Sequence, residues 1–246
     1  MTQPTPIRRA HGGGPAAFAD LFQHRYGRPP RLLDLYCCQG GAAKGYTDAG
    51  WDVTGVDKDP QPRYPYRFIQ ADAITYVLEH GAAFDFIHAS PPCQHDTECQ
   101  RIQGNPHPDL IAPTRTALES TRRPWVIENV GGAEPKLRDP VMLCGQMIGL
   151  RVYRHRFFET GGGFRLTQPD HPAHLVPQAK MGRPIPPGHY GQFVGNFSGV
   201  SHAREVLGVP WMNRDGIREC IPPAYTRWIG HAALTTLTLA VRGVAA

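Results

Sequence analysis

Arg31-Leu32-Leu33-Asp34-Leu35-Tyr36-Cys37-Cys38-Gln39-Gly40-Gly41 is an apolar run, a turn of small residues and a glycine pair. The apolar run reads as a buried strand, and Ala42 to Gly50 as the helix that follows it. Such a strand–turn–helix unit brings backbone N–H groups and a helix N-terminus towards a bound ligand. The turn lacks the G-x-G-x-x-G spacing, and no Gly-Lys-Ser/Thr follows it. A pyrophosphate-containing cofactor is therefore disfavoured.

The unit recurs along the chain. Trp51 to Asp57 reads as a second strand, Phe68 to Asp72 as a third, Phe84 to His88 as a fourth and Pro124 to Glu128 as a fifth. Helices are expected over Ala73 to His80 and Asp109 to Thr121. Alternating strands and helices predict an α/β fold with a doubly wound, mostly parallel sheet. Acids end three consecutive strands: Asp34, Asp57 and Asp72. A carboxylate accepts from two hydroxyls, so Asp57 suits a ribose diol, and Asp72 is placed for an adenine amino group. Taken singly, each aspartate is more simply a turn residue or helix cap. Together, beside the glycine turn, they point to a nucleoside-containing cofactor.

The fourth strand runs into Pro91-Pro92-Cys93-Gln94. Neither proline can donate to a ladder, so the backbone opens there. In an α/β sheet the carboxyl edge is where ligands bind. A thiol on a stiff turn at that edge is placed as a nucleophile. The same pattern also suits a buried, inert cysteine.

A chain of 246 residues with 41% hydrophobic content can bury one large core. No apolar run reaches membrane-spanning length, and Met1 to Gly14 has no apolar core of a signal peptide. The six cysteines make no C-x-x-C pair, which favours a reduced, cytoplasmic setting. The net charge of +5 leans towards an anionic partner. A partly disordered lead-in is expected over 1–28 and a catalytic domain over 29–158. A small irregular module rich in Gly, Pro and His is expected over 159–200. A helical return to the sheet follows over 201–246, its longest helix running from Ala224 to Val241.

With Pro91-Pro92-Cys93-Gln94 and Val126-Ile127-Glu128-Asn129-Val130 both present, the chain resembles the DNA (cytosine-5) methyltransferase family. Asp34 to Gly41, Gly55-Val56-Asp57 and Ala71-Asp72-Ala73 are similar to its first three motifs, and Tyr153-Arg154-His155-Arg156-Phe157 to its arginine motif. Arg204 to Trp211, Ile221-Pro222-Pro223-Ala224 and Ile229-Gly230 are similar to its closing motifs. The likeness spans about 31–235, and the compact form resembles the DNA methylases of actinobacteriophages. Three positions depart from the pattern. Cys38 stands where the family has Gly, Val152 where it has Gln, and Arg218-Glu219 where it has Gly-Asn.

The resemblance implies a class I, Rossmann-like methyltransferase fold and S-adenosylmethionine as cofactor. Asp34, Tyr36, Gly40, Gly41, Asp57, Asp72, Ala73 and Pro91 would hold the cofactor. It implies that Cys93 adds to C6 of a flipped cytosine, that protonated Glu128 donates to N3, that Arg156 bonds O2 and that Arg154 orients the acidic residues. Gln94, Arg101, Arg165, Lys180 and Arg183 are expected at double-stranded DNA. From Arg151 to Val200 six basic residues face only Glu159 and Asp170. His171, His174 and His189 have no cysteine near them in sequence, so no metal is expected, and Cys99 and Cys144 read as structural or incidental. A monomer is expected, in the cytoplasm of a prokaryotic or phage-infected cell. Two other readings stay open: cytosine-5 modification of RNA or transfer of a different group, and a catalytically silent DNA-binding relative.

Overall fold

The structure is a computed structural model that describes residues 15–92 and 109–243. Cys93, Gln94, Cys99 and Arg101 lie outside the described residues. Leu32, Leu33 and Leu35 have no solvent exposure in β1 (Arg31–Leu35). A strand covered on both faces reads as a continuous apolar run, and this is why the opening stretch identifies the fold. β2 (Asp52–Asp57), β3 (Arg67–Gln70), β4 (Phe86–Ala89) and β5 (Trp125–Asn129) join it in parallel. β7 (Arg156–Gly161) runs antiparallel between β5 and β6 (Val141–Leu143). The order across the seven-stranded sheet is β3-β2-β1-β4-β5-β7-β6. The expected doubly wound, mostly parallel sheet is what forms.

Alternate residues of each strand feed two cores. Leu33, Leu35, Ile87, Ala89 and Ile127 pack with Val77, Ala117 and Leu118 from α3 (Ala73–His80) and α4 (Ile111–Ser120). Leu32, Phe86, Val126 and Phe158 pack with Tyr46, Tyr225 and Ile229 from α2 (Gly41–Asp48) and the C-terminal helix (Pro223–Gly243). Each such buried side chain contributes roughly 1.5–3 kcal/mol. The C-terminal helix approaches α2 closely. A Cβ on Gly45 would lie 2.0 Å from the Pro223 carbonyl oxygen, and Thr226 Oγ1 donates to the Ala42 carbonyl at 2.9 Å.

Part of the expected lead-in is helical. Pro15–Tyr26 forms helix α1, opening on a proline whose fixed φ suits a first helical position. Phe22 is buried, and Arg28 makes a two-armed pair with Asp85 at 2.6 and 2.9 Å. The helix is short and carries little periodic signal, so the apolar pattern alone does not reveal it.

After β7 the chain is irregular up to α5 (Val200–Leu207), with one isolated bridge, Gln178 to Tyr190. Phe193 and Phe197 pack with Ala203, Leu207 and Ile217, so the end of this segment shares a small core with α5 and α6 (Arg214–Glu219). The C-terminal helix is α7. No helix among the described residues is long and apolar enough to cross a membrane.

Candidate active site

The strand order reverses between β1 and β4, and their carboxyl ends border the crevice where doubly wound sheets bind ligands. On the β1 side, Gly40 takes a left-handed conformation (φ 85°) to turn the chain into α2. As N-cap it has no side chain, so no side-chain cap occupies the first N–H groups of α2. Gly41 is forced by proximity: a Cβ there would lie 2.6 Å from Cys220 Sγ and 2.7 Å from the Ile221 carbonyl oxygen.

Asp34 sits beneath this turn with 1% exposure, its carboxyl facing the backbone N–H of Ala43 in the first turn of α2. Burial, reinforced by the neighbouring charge of Asp57, pushes it up to about 8. The Tyr64 hydroxyl is buried and has no hydrogen-bond partner among the described residues. Asp57 braces the turn: Oδ2 accepts from the Cys38 N–H at 3.0 Å and Oδ1 from the Asp59 N–H at 3.1 Å. Asp72 is exposed and caps α3, its Oδ1 accepting from the Thr75 N–H and hydroxyl at 2.8 and 2.9 Å. The capping alternative is thus realised at Asp72. Ala73 is buried as the first residue of α3. The Tyr36 hydroxyl shares a 2.8 Å hydrogen bond with Thr114 Oγ1.

On the β4–β5 side, Pro91 is buried and its carbonyl accepts from Asn129 Nδ2 at 3.0 Å. The end of β5 therefore holds the turn that leads, two residues on, into Cys93. Glu128 is 6% exposed, with Oε1 2.8 Å from Arg156 Nε but no N–H aimed to close a hydrogen bond on that oxygen. Burial raises the Glu128 carboxyl above its usual range, while Arg156, Arg154 and a Ser90 hydrogen bond oppose the rise. A relay lies behind it. Tyr46 hydroxyl meets His88 Nδ1 at 2.9 Å, and His88 Nε2 meets Ser90 Oγ at 2.8 Å. Burial lowers His88 to about 3, so its ring stays neutral and passes one hydrogen-bond direction along the chain. His88, Ser90 and Asn129 are site-supporting residues the sequence reading did not single out.

One expectation needs correction. Arg154 does not bond the acidic residues. Its guanidinium donates to the carbonyls of Cys220, Phe193, Ile217 and Arg218. Ile217 and Arg218 are in the last turn of α6, where carbonyls lack intrahelical partners and a cation is favoured. Burial, with Arg156 nearby, lowers Arg154 to about 10. The 151–200 segment keeps a basic excess at its surface. Arg154, Arg156 and Glu159 are buried, Glu159 in a two-armed pair with Arg115 at 2.6 Å. Arg151, Arg165, Lys180 and Arg183 remain exposed against Asp170.

Cys144 is buried beside the histidines. Its Sγ lies 3.3 Å from His174 Nε2, so a cysteine does accompany the histidines that sequence spacing left without one. Separately, a cavity of about 510 Å³ is lined by Arg151, the 184–189 segment, Ser198, Gly199 and His202, none of them an expected cofactor residue.

No family model matches the chain, and no curated protein matches it. Among solved structures it is similar to a candidate DNA modification methyltransferase encoded within an E. coli prophage. The two are 14% identical, with a TM-score of 0.54, over 85% of this chain and 99% of the other. It also aligns with the Dnmt2 methyltransferase of S. pombe, at 18% identity and a TM-score of 0.38, over 53% of this chain and 48% of that one. The seven-stranded order with its reversed β7 is a Rossmann-like α/β fold, and the likeness to the prophage protein is a likeness of that fold.

Proposed function

We propose that the chain is a DNA (cytosine-5) methyltransferase that uses S-adenosylmethionine. One observation carries the reading. A buried Glu128 carboxyl with a raised affinity for its proton stands beside Arg156, and the next residue, Asn129, holds the turn leading to Cys93. The cofactor side supports it. S-adenosylmethionine carries a sulfonium and an ammonium, and a cation beside the buried Asp34 carboxyl would favour its ionised form. Asp57, Asp34 and the uncapped N–H groups of α2 would hold the cofactor, and when bound it supplies an electrophilic methyl group.

The chain's own residues then divide the work. The Cys93 thiolate forms a bond to C6 of a flipped cytosine, and the C5–C6 π electrons shift into the ring. Protonated Glu128 donates to N3 and an Arg156 N–H donates to O2, where that density collects. C5, regaining the electron pair, would bond the methyl carbon as its bond to the cofactor sulfur breaks, leaving S-adenosylhomocysteine. Loss of the C5 proton to a base and departure of the thiolate restore the aromatic ring as 5-methylcytosine. Arg165, Lys180 and Arg183 would face DNA phosphates, with Gln94 and Arg101 near the target base.

Nucleoside mass spectrometry on genomic DNA from an expressing host tests this reading. 5-Methylcytosine should appear with the wild-type chain and be absent with Cys93→Ala. A methylated base of another kind, or 5-methylcytidine in RNA alone, would replace it.

A further inference from the structure

We propose that Cys144, His155, His171 and His174 form a zinc site that fastens the irregular segment after β7 to the edge of the sheet. Their ligand atoms all lie within 4.8 Å of one another. The sheet itself supplies half of the set. Leu143 pairs with Arg156 across the antiparallel β6–β7 ladder, so the next pair outward is Cys144 opposite His155. The chain then leaves β7 at Gly161 and returns His171 and His174 to the same place. Neighbours across a ladder are separated by ten residues of sequence here, and the histidine pair by many more. Sequence spacing therefore conceals the site.

The geometry is that of donors gathered around a shared point. His174 Nε2 lies 3.1 Å from His171 Nε2 and 3.3 Å from Cys144 Sγ. A tetrahedral zinc with Zn–N near 2.0–2.1 Å and Zn–S near 2.3 Å separates its ligand atoms by roughly 3.3–3.6 Å. Without a cation, two imidazole nitrogens and a sulfur compete for one hydrogen-bonding position. With one, each donates a lone pair to the metal. Three nitrogens and one thiolate suit a borderline-soft ion, and no carboxylate of the described residues joins the cluster, which argues against calcium or magnesium. Four protein ligands close the coordination sphere, so the role is structural. The Cys144 thiol releases its proton to solvent on binding, and the imidazoles bind in their neutral form.

Surrounding contacts hold the ligands ready. Tyr153 stacks on the His174 ring at 3.6 Å. Its hydroxyl accepts from the Val176 N–H at 2.9 Å and donates to the Val176 carbonyl at 2.7 Å, fixing the loop just past His174. Cys144 is buried while the three histidines are exposed, so the ion reaches its thiolate from solvent. The segment fixed in this way carries Arg165, Lys180 and Arg183.

The proposal is independent of the catalytic reading, because metal content is read without DNA or methyl donor. The full chain, stripped with chelator and reconstituted with zinc chloride alone, should retain one zinc per chain through gel filtration. Cobalt in its place should give intense tetrahedral d–d bands and a thiolate-to-cobalt charge-transfer band. Cys144→Ser should abolish the charge-transfer band. His171→Gln changes an exposed ring, so the chain still folds, and it should weaken zinc binding at least about tenfold, the lower end for perturbed metal sites. His189→Gln, outside the cluster, should change nothing. Failure to retain stoichiometric zinc, or a charge-transfer band that survives Cys144→Ser, or equal zinc affinities in His171→Gln and His189→Gln, would overturn the site.

Discussion

Cys38 Sγ lies 3.6 Å from Glu219 Oε2, placing two of the three departures from the cytosine-5 pattern in contact across the mouth of the glycine turn. The thiol donates and the carboxylate accepts. Burial, reinforced by the Glu219 charge, raises Cys38 well above its usual range, so it remains a thiol at neutral pH. The two positions therefore form one unit. A double-mutant cycle with Cys38→Ala and Glu219→Gln, read as affinity for S-adenosylhomocysteine, should give a coupling of about 0.5–1 kcal/mol. Additive effects would show that the two departures act separately.

Asn129 acts as a positioning residue for the Pro91–Pro92 turn. Asn129→Ala leaves the Pro91 carbonyl without its donor and should cost about 1–2 kcal/mol of stability. The larger effect should fall on kcat, with KM for the methyl donor little changed, because the turn sets the direction of the following thiol. Steady-state kinetics separate the two. A variant with wild-type kcat and only a lowered melting temperature would reduce Asn129 to a structural residue.

Arg154 and Arg156 should behave differently despite their shared motif. Arg154 satisfies four carbonyls, and Arg154→Met strips all of them at a cost on the order of 3 kcal/mol or more. Arg156→Met removes the neighbour of Glu128 and should lower turnover with a smaller change in urea midpoint. Equal loss of stability in both variants would contradict this division.

The strands were legible because their apolar runs end on turn residues. Leu32 to Leu35 and Val126 to Glu128 fall within a residue of where the sequence sets them. What stayed hidden depends on distant partners. The Asp72 cap is local and is among the readings the sequence allows, whereas Asp57, alike as a strand-end acid, reaches back to Cys38 through the fold. Arg154 carries no sign in sequence of the carbonyls it serves more than thirty residues away. His88 reads as one residue of an apolar strand, and its relay needs Tyr46 from another element. Cys144 and His155 meet only through antiparallel register. Alternation and turns are local properties, whereas these contacts are set by how the elements pack.

Asp34 makes stability depend on pH. Its folded-state value of about 8 lies above its ordinary 3.8, so the folded chain binds the extra proton between those values. Stability from this group is complete below about pH 4 and is lost as pH rises towards 8. The slope reaches about 1.4 kcal/mol per pH unit. Asp34→Asn should flatten the melting-temperature profile over that range and weaken S-adenosylhomocysteine binding. An unchanged slope would mean that the Asp34 carboxyl is already ionised and satisfied in the folded protein.

The covalent step at Cys93 is the central claim, and trapping tests it most directly. A fluorine at C5 cannot leave as a proton, so the adduct cannot resolve by elimination. Duplex pools carrying 5-fluorocytosine in varied short contexts, incubated with the chain and S-adenosylmethionine, should yield a protein–DNA species that survives denaturing electrophoresis. It should require the methyl donor, persist in Cys99→Ser and vanish in Cys93→Ser, because an alcohol is far less ionised than a thiol at neutral pH. Undiminished trapping by Cys93→Ser would contradict the account.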